Sequence, residues 1–279
     1  MLLRRITQHV KDQNWFAVGL DFVIVVVGIL IAFQITQWNE TRGDRQRETQ
    51  ILKDIATDIT ADIEGYDVAI DNALIRIATI RYIFDVTPNS ALSEMLDNQE
   101  QLGVGMSWTE EIDESVRKGT YAEHFNFEDY ADEAKKSLWS SAILVGNVER
   151  SDTAFGALVN SGELGILRNN EIVRQLQEYQ LIASAIEKSQ DVTFRPARNS
   201  AIEVGHKFGL SVFSTVDEKT FLDLVGAEPE LAATVQSQMG WATGHYVMLA
   251  AAERSAHELI QNIETELGEA PKENDGVNE

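Results

Sequence analysis

The chain has no cysteine, only four prolines, and 23 basic side chains against 45 acidic ones in its 279 residues. Without cysteine there is no disulfide scaffold, thiolate zinc site, cysteine nucleophile or Cys-x-x-Cys redox pair. The formal charge of −22 argues against a nucleic-acid partner, because that affinity comes from neutralising phosphates with Lys and Arg. What the chain does have is apolar residues. At 44% of the total they are too many for a mostly disordered chain. The length suits one large domain or two small ones, with a sizeable core.

The longest apolar run covers residues 22–33 (FVIVVVGILIAF), and residues 16–20 extend it N-terminally past Asp21. Residues 16–35 on a helix reach roughly 30 Å, one hydrocarbon thickness. Trp15 and Trp38 stand at its two ends, where interfacial aromatic residues concentrate. No small-residue cleavage site follows, since Ala32-Phe33-Gln34 runs on into Gln37-Trp38-Asn39. The expectation is a short tail at 1–14 and an uncleaved transmembrane helix at 15–38 in contact with the lipid bilayer. Arg4, Arg5 and Lys11 before the span balance Arg42, Arg45 and Arg47 after it, so the positive-inside count is tied. The amino terminus adds one charge to the tail. The residues beyond Glu40 carry the whole net charge of −22 and gain nothing from an anionic cytoplasmic leaflet. The tail is therefore expected inside and the following domain outside the cytoplasm.

On a helix, Ala17, Asp21, Val25, Gly28 and Ala32 share one stripe. Gly28-x-x-x-Ala32 is a small-x-x-x-small pair, which lets a second helix approach closely. These five residues are the candidate contact face for self-association or for a membrane protein partner. Asp21 has two readings: a carboxyl hydrogen-bonding across the contact, or one that reaches the interface from its shallow position.

Beyond the span the pattern stays helical, and the reading is an all-α fold. Leu52, Ile55, Ile59, Ile63, Tyr66, Ile70, Leu74, Ile77, Ile80 and Phe84 recur at threes and fours, with no proline before Pro88. This predicts a long amphipathic helix over 39–86, continuous with the span, in which Asp54, Asp58 and Asp62 form a solvated acidic face. A helical bundle is expected over 87–267, packing with 39–86, and a disordered polar tail over 268–279. Within the bundle, helices are predicted from Ser90 to Leu102, from Thr109 to Lys118 and from about Phe127 to Val148. Further helices follow a cap at Ser151 or Asp152, start at Asn169 or Asn170, and run from Thr215 to Gly226. Pro196 bends or ends the helix that reaches it. After Pro229, the residues Val235, Met239, Ala242, Tyr246, Leu249, Glu253, Ala256, Ile260, Ile263 and Leu267 make a coiled-coil-like stripe. Glu253 interrupts it, needing an Arg partner or water. Gly240 and Gly244 leave room for another backbone.

Val27-Gly28-Ile29-Leu30-Ile31-Ala32-Phe33-Gln34, followed by Trp38-Asn39-Glu40, resembles a family of uncharacterised bacterial single-span membrane proteins. Its signature is G-I-L-I-A-x-Q-x-x-x-W-N-E. Residues 152–158, Ser161-Gly162-Glu163-Leu164 and residues 169–179 are similar to a second patch of that family, and Asp21 stands where a Glu is expected. The resemblance implies one N-terminal span, a long helix and a helical domain at the bacterial inner membrane. It carries no activity with it.

Signatures of catalysis are nearly absent: there is no P-loop, H-E-x-x-H, G-x-S-x-G or EF-hand loop. Ser115-Val116-Arg117-Lys118 matches S-x-x-K, but Phe221 replaces the glycine expected after Lys219-Thr220, so an ordinary helix end is the better reading. His9, His124, His206, His245 and His257 include no pair three or four apart, so no helix offers a metal-chelating pair. Trp108, Tyr121, His124, Phe125, Phe127 and Tyr130 are read as core filling. The expected function is that of a membrane-anchored helical interaction or scaffold protein without cofactor or metal, and not an enzyme. The alternative is an extracytoplasmic ligand-sensing helical domain that signals through a partner.

Overall fold

The computed structural model describes residues 15–87, 137–151, 153–213 and 215–268, apart from the side chains of residues 15–18 and 21. The fold is all-α. Helices α1 (Trp15–Val86), α2 (Leu138–Ala142), α3 (Thr153–Ser161), α4 (Asn170–Ser189), α5 (Arg195–Lys207), α6 (Glu218–Ala227) and α7 (Pro229–Leu267) follow in order. A 3₁₀ turn spans Leu164–Ile166 and a π-helical turn spans Gln190–Phe194. Among the described residues there is no strand. The helices predicted at 90–102 and 109–118, the start of the one at 127, the aromatic group at 108–130, Ser115 and Lys118, and the tail after Gly268 all lie outside the described residues.

The chain divides into two units, Met1–Leu52 and Lys53–Glu279. In the first, α1 shows its apolar residues outward: every described side chain from Leu20 to Ile35 is exposed. Near the N-terminus α1 is long and apolar enough to cross a membrane, with a mean hydropathy of 1.9 and none of that stretch buried. Thr36 and Thr41 return their hydroxyl protons to the Ala32 and Gln37 carbonyls at 3.0 and 2.8 Å, so neither leaves a donor unpaired. The Arg42 guanidinium lies 5.9 Å from the centre of the Trp38 ring, within cation–π reach.

In the second unit, α1 buries the expected stripe, from Ile55 and Ile59 through Tyr66 to Ile77, Ile80 and Phe84. Ile70 and Leu74 are only half-buried, and Ala69 and Ala73 take the inner positions. The reason is visible beside them. A Cβ on Gly146 would meet the Ala69 Cα at 3.0 Å, so the chain after α2 lies backbone to backbone against α1. That close approach ends the helix expected through Val148. Helix α2 stops at Ala142, and residues 144–150 are irregular.

Helix α7 begins at Pro229 and ends at Leu267, where Gly268 takes a φ of 71° and its N–H caps the Glu264 and Thr265 carbonyls. Its core face holds Val235, Ala242, Leu249, Ala256 and Ile263. A second face, with His245, Ala252 and Leu259, is buried as well. One apolar stripe was expected; two are used because α4, α5 and α6 all pack on α7. The main cluster joins α1 to α7 through Ile77, Ile80, Trp139, Phe221, Leu231 and Val235.

Candidate functional site

The sequence-predicted stripe lies on α1. Val25 and Ala32 are exposed, and a Cβ on Gly28 would meet nothing within 4 Å. Ala17 and Asp21 are in the same helix, with side chains outside the described residues.

The second unit holds three polar groupings that periodicity did not separate from surface. The first corrects the solvated acidic face. Asp54 is exposed, but Asp58 is half-buried and Asp62 is only 1% exposed. The Asp62 carboxylate accepts from the Ser151 backbone N–H at 2.7 Å and the Tyr179 hydroxyl at 2.6 Å. The Tyr66 and Tyr179 hydroxyls lie 3.2 Å apart. Asp58 accepts from the Ala154 N–H at 2.8 Å. The carboxylate that caps α3 therefore comes from α1, one turn before Asp62, and satisfies a donor at a helix start. Burial raises the Asp62 pKa, outweighing the Tyr179 and Ser151 hydrogen bonds and the Arg150 charge. Burial also pushes the Tyr66 hydroxyl up to about 12.

The second grouping is Glu253 with Asp67. Glu253 was expected beside an Arg or water; its hydrogen-bond partner is a second carboxyl. Burial, with the Asp67 hydrogen bond and charge, pushes Glu253 up to about 7, and Arg254 only partly opposes this. Two carboxyls this close share a proton more readily than they both ionise. The folded protein holds a proton that unfolded Glu253, at 4.5, releases. Its stabilising contribution is full below about pH 4.5 and is lost as pH rises towards 7.

His245 works in the opposite sense. Burial, and then the charge of Arg76, lower it from 6.5 to about 4. Its contribution is full above pH 6.5 and is lost as pH falls through 4. Between pH 4.5 and 6.5 the contributions of Glu253 and His245 therefore offset each other, and the raised Asp62 carboxyl tilts wild-type stability downward as pH rises. Glu253→Gln should be more stable than wild type at pH 8 and should lose stability steadily on acidification below 6.5. A variant profile parallel to wild type would refute the assignment of the two groups.

The third grouping surrounds the π-turn. Pro196 has no N–H to give the Val192 carbonyl, and its ring crowds that carbonyl. The helix accommodates this by widening one turn, so that the Arg195 N–H reaches back to the Gln190 carbonyl. Pro196 thus ends α4 ahead of itself and sits in the first turn of α5. Turns of this kind recur where function is placed. A groove of about 510 Å³ follows, between Thr193, Ala197, Ser200 and Ala201 on one side and Thr234, Ser237, Gln238 and Trp241 on the other. It adjoins a second of about 520 Å³, whose walls include Phe194, Gly240, Trp241, Gly244 and Met248. Among the described residues no backbone fills the space expected at Gly240.

Beneath the groove, Arg76 is 1% exposed. Its Nε–H donates to the Ala142 carbonyl at 3.1 Å and its Nη2 to the Gln238 side-chain oxygen. The Gln238 Nε2 donates to the Ala197 carbonyl at 3.2 Å. Burial, and then the Arg198 charge, lower Arg76 to about 10. His245 packs 4.5 Å from the Phe194 ring centre. The side-chain nitrogens of Trp139 (Nε1), Gln190 (Nε2) and His245 (Nε2) are buried without a hydrogen-bond partner among the described residues.

The spacing of apolar residues carried no signal for Arg76, Arg198 or Gln238. A charged residue inside a core stripe, as at Arg76 between Ala73 and Ile80, was the clue available. His206 and His257 are exposed and stand apart from His245. Among the described residues no three His, Asp or Glu side chains gather as a metal site would require. Compared with known proteins, the chain matches no protein-family model, no curated protein and no solved structure.

Proposed function

We propose that this is a membrane-anchored helical interaction or scaffold protein of the bacterial inner membrane, acting through contacts and not through catalysis. It crosses the bilayer once, over residues 15–38, with the rest of the chain after the span outside the cytoplasm. The observation that carries this reading is the apolar start of α1. Side chains such as Phe22, Ile24, Ile29, Leu30 and Phe33 are all exposed, and lipid or another helix is what covers such a surface. The partners are the bilayer, together with a second copy or another membrane protein, and not nucleic acid. A reporter fused after Glu279 should be active only outside the cytoplasm; activity of a cytoplasm-only reporter there would reverse the orientation.

The proposed contact face is Ala17, Asp21, Val25, Gly28 and Ala32. In hydrocarbon, association rests on close packing, which small residues permit. Gly28→Ile should weaken association of a span covering residues 10–42 while preserving insertion, because it makes the helix more apolar. Asp21→Asn should associate nearly as wild type, and Asp21→Leu should lose about 1 kcal/mol. A monomeric wild-type span, or an unaffected Gly28→Ile variant, in a transmembrane association assay would remove self-association from the proposal. The groove beside the π-turn favours the second reading, an extracytoplasmic ligand-sensing domain that signals through a partner.

A further inference from the structure

The two grooves beside the π-turn have Thr193, Ser237 and Trp241 in common, so they form one trough along α7. Among the described residues no charged side chain lines either of them. An ion held there would give up hydration with no opposite charge to replace it. The trough therefore suits an uncharged molecule. Its ends differ in character. Phe194, Trp241 and Met248 make one end apolar, with Phe194 set edge-on to Trp241 at 78° and the ring centres 6.5 Å apart. Trp241 keeps 41% of its surface exposed there, a large apolar area for a ligand to cover.

The polar groups of the trough are neutral, and several have bonds to spare. On the long helices of this chain, Thr57, Thr60, Thr243 and Thr265 return their hydroxyl protons to the carbonyl one turn back. In the α7 wall Thr234 and Ser237 do the same, at 2.7 and 2.8 Å. Across from them, the half-buried Ser189 and Thr193 do not, and neither hydroxyl has a hydrogen-bond partner among the described residues. Gln238 adds a donor whose direction is set. Arg76 can only donate, so the end of Gln238 that meets it is the oxygen. The nitrogen end gives one N–H to the Ala197 carbonyl at 3.2 Å, and its second N–H has no partner among the described residues. Gln238 is only 2% exposed, so this donor is fixed before any ligand arrives, and little ordering is left for binding to cost. Apolar walls with a few placed polar groups are the usual make-up of a small-molecule site.

We propose that the trough binds an uncharged amphipathic small molecule. Its ring or short aliphatic body lies against Phe194, Trp241 and Met248, and its carbonyl or hydroxyl oxygen accepts from Thr193 and the Gln238 amide. The proposal rests on the ligand-sensing reading and gives that ligand a chemical class.

The test is thermal unfolding of the full-length protein in nanodiscs of a zwitterionic lipid at neutral pH. The probes are benzamide, benzoate and benzamidine, which share one shape and differ in charge. At tenfold excess over its dissociation constant, benzamide should raise the melting temperature by about 3–6 °C, and the two ions should not. Gly240→Leu puts a side chain into the apolar end, where a Cβ meets nothing within 4 Å. It should melt no lower than wild type without probe, because leucine is the better helix former, and should lose the rise. Thr193→Val keeps the shape without the hydroxyl and should weaken benzamide binding by about 2–10-fold. A rise with benzoate or benzamidine but not benzamide overturns the uncharged class and leaves the ligand-sensing reading in place. No rise with any probe, or an undiminished rise in Gly240→Leu, overturns the site itself. The scaffold reading stands on the span and is untouched by either result.

Discussion

Asp62→Ala should destabilise the second unit by about 2–4 kcal/mol, because a buried hydroxyl and a half-buried backbone N–H lose their acceptor together. Those donors are the Ser151 N–H and the Tyr179 hydroxyl, at 2.7 and 2.6 Å from the carboxylate. Asp62 itself is 1% exposed, so water does not readily take the place of its carboxylate. In a domain of this size the loss should lower the melting temperature by about 5–12 °C. Asp62→Asn should cost less, since its amide oxygen still accepts from one donor and burial already disfavours the charged carboxyl. Tyr179→Phe should cost about 1 kcal/mol, the net worth of one such hydrogen bond. Asp54→Ala, at an exposed position of the same face, should stay within about 0.5 kcal/mol of wild type. Chemical denaturation of the four variants measures the ranking. Equal effects at Asp54 and Asp62 would restore the solvated-face reading.

Gly205→Ala is the second large effect, and its sign runs against helix propensity. Alanine in mid-helix is favoured over glycine by about 1 kcal/mol. Here the new Cβ would lie 2.4 Å from Cζ2 and 2.8 Å from Cε2 of Trp139. The indole has no easy retreat: it is 3% exposed and packs against Phe221 with ring centres 6.4 Å apart. Overpacking of this kind costs about 1–3 kcal/mol net. Replacing Trp139 with Phe removes the part of the ring that collides. The double variant should therefore recover stability relative to the sum of the two single changes, a coupling a double-mutant cycle reads directly. Additive losses would mean that the Gly205–Trp139 contact is not what forbids a side chain.

The long elements were legible because their information is local and repeated. The run at 22–33, the threes and fours from Leu52 to Phe84, and Pro229 at the head of α7 each state a helix without reference to the rest of the chain. The polar interior was not legible. Asp54, Asp58 and Asp62 have the same spacing and the same chemistry, yet only the last is buried, because Ser151 and Tyr179 meet α1 at that level. Nothing within α1 encodes where residues 89 and 117 positions further on will dock. Glu253 is a similar case. Its interruption of the stripe was plain, but its partner Asp67 lies on another helix and has the unexpected sign.

The widened turn at Gln190–Phe194 makes chain length at that point a carrier of information. Upstream, the inward residues are Ile172, Leu176, Tyr179, Ala183 and Ile186. Downstream they are Phe194, Ala201 and Gly205, and the interval between the two sets is one residue too long for uniform helical pitch. Each residue of an α-helix advances the phase by about 100°. A chain that dropped one residue from this turn, with Pro196 replaced so that ordinary pitch resumed, would keep its composition and helicity. It would nevertheless rotate α5 by that angle, carrying Gly205 away from Trp139 and Ala197 away from the Gln238 amide. The turn acts as a reading frame for the helix, and a single deletion there is a frameshift in three dimensions.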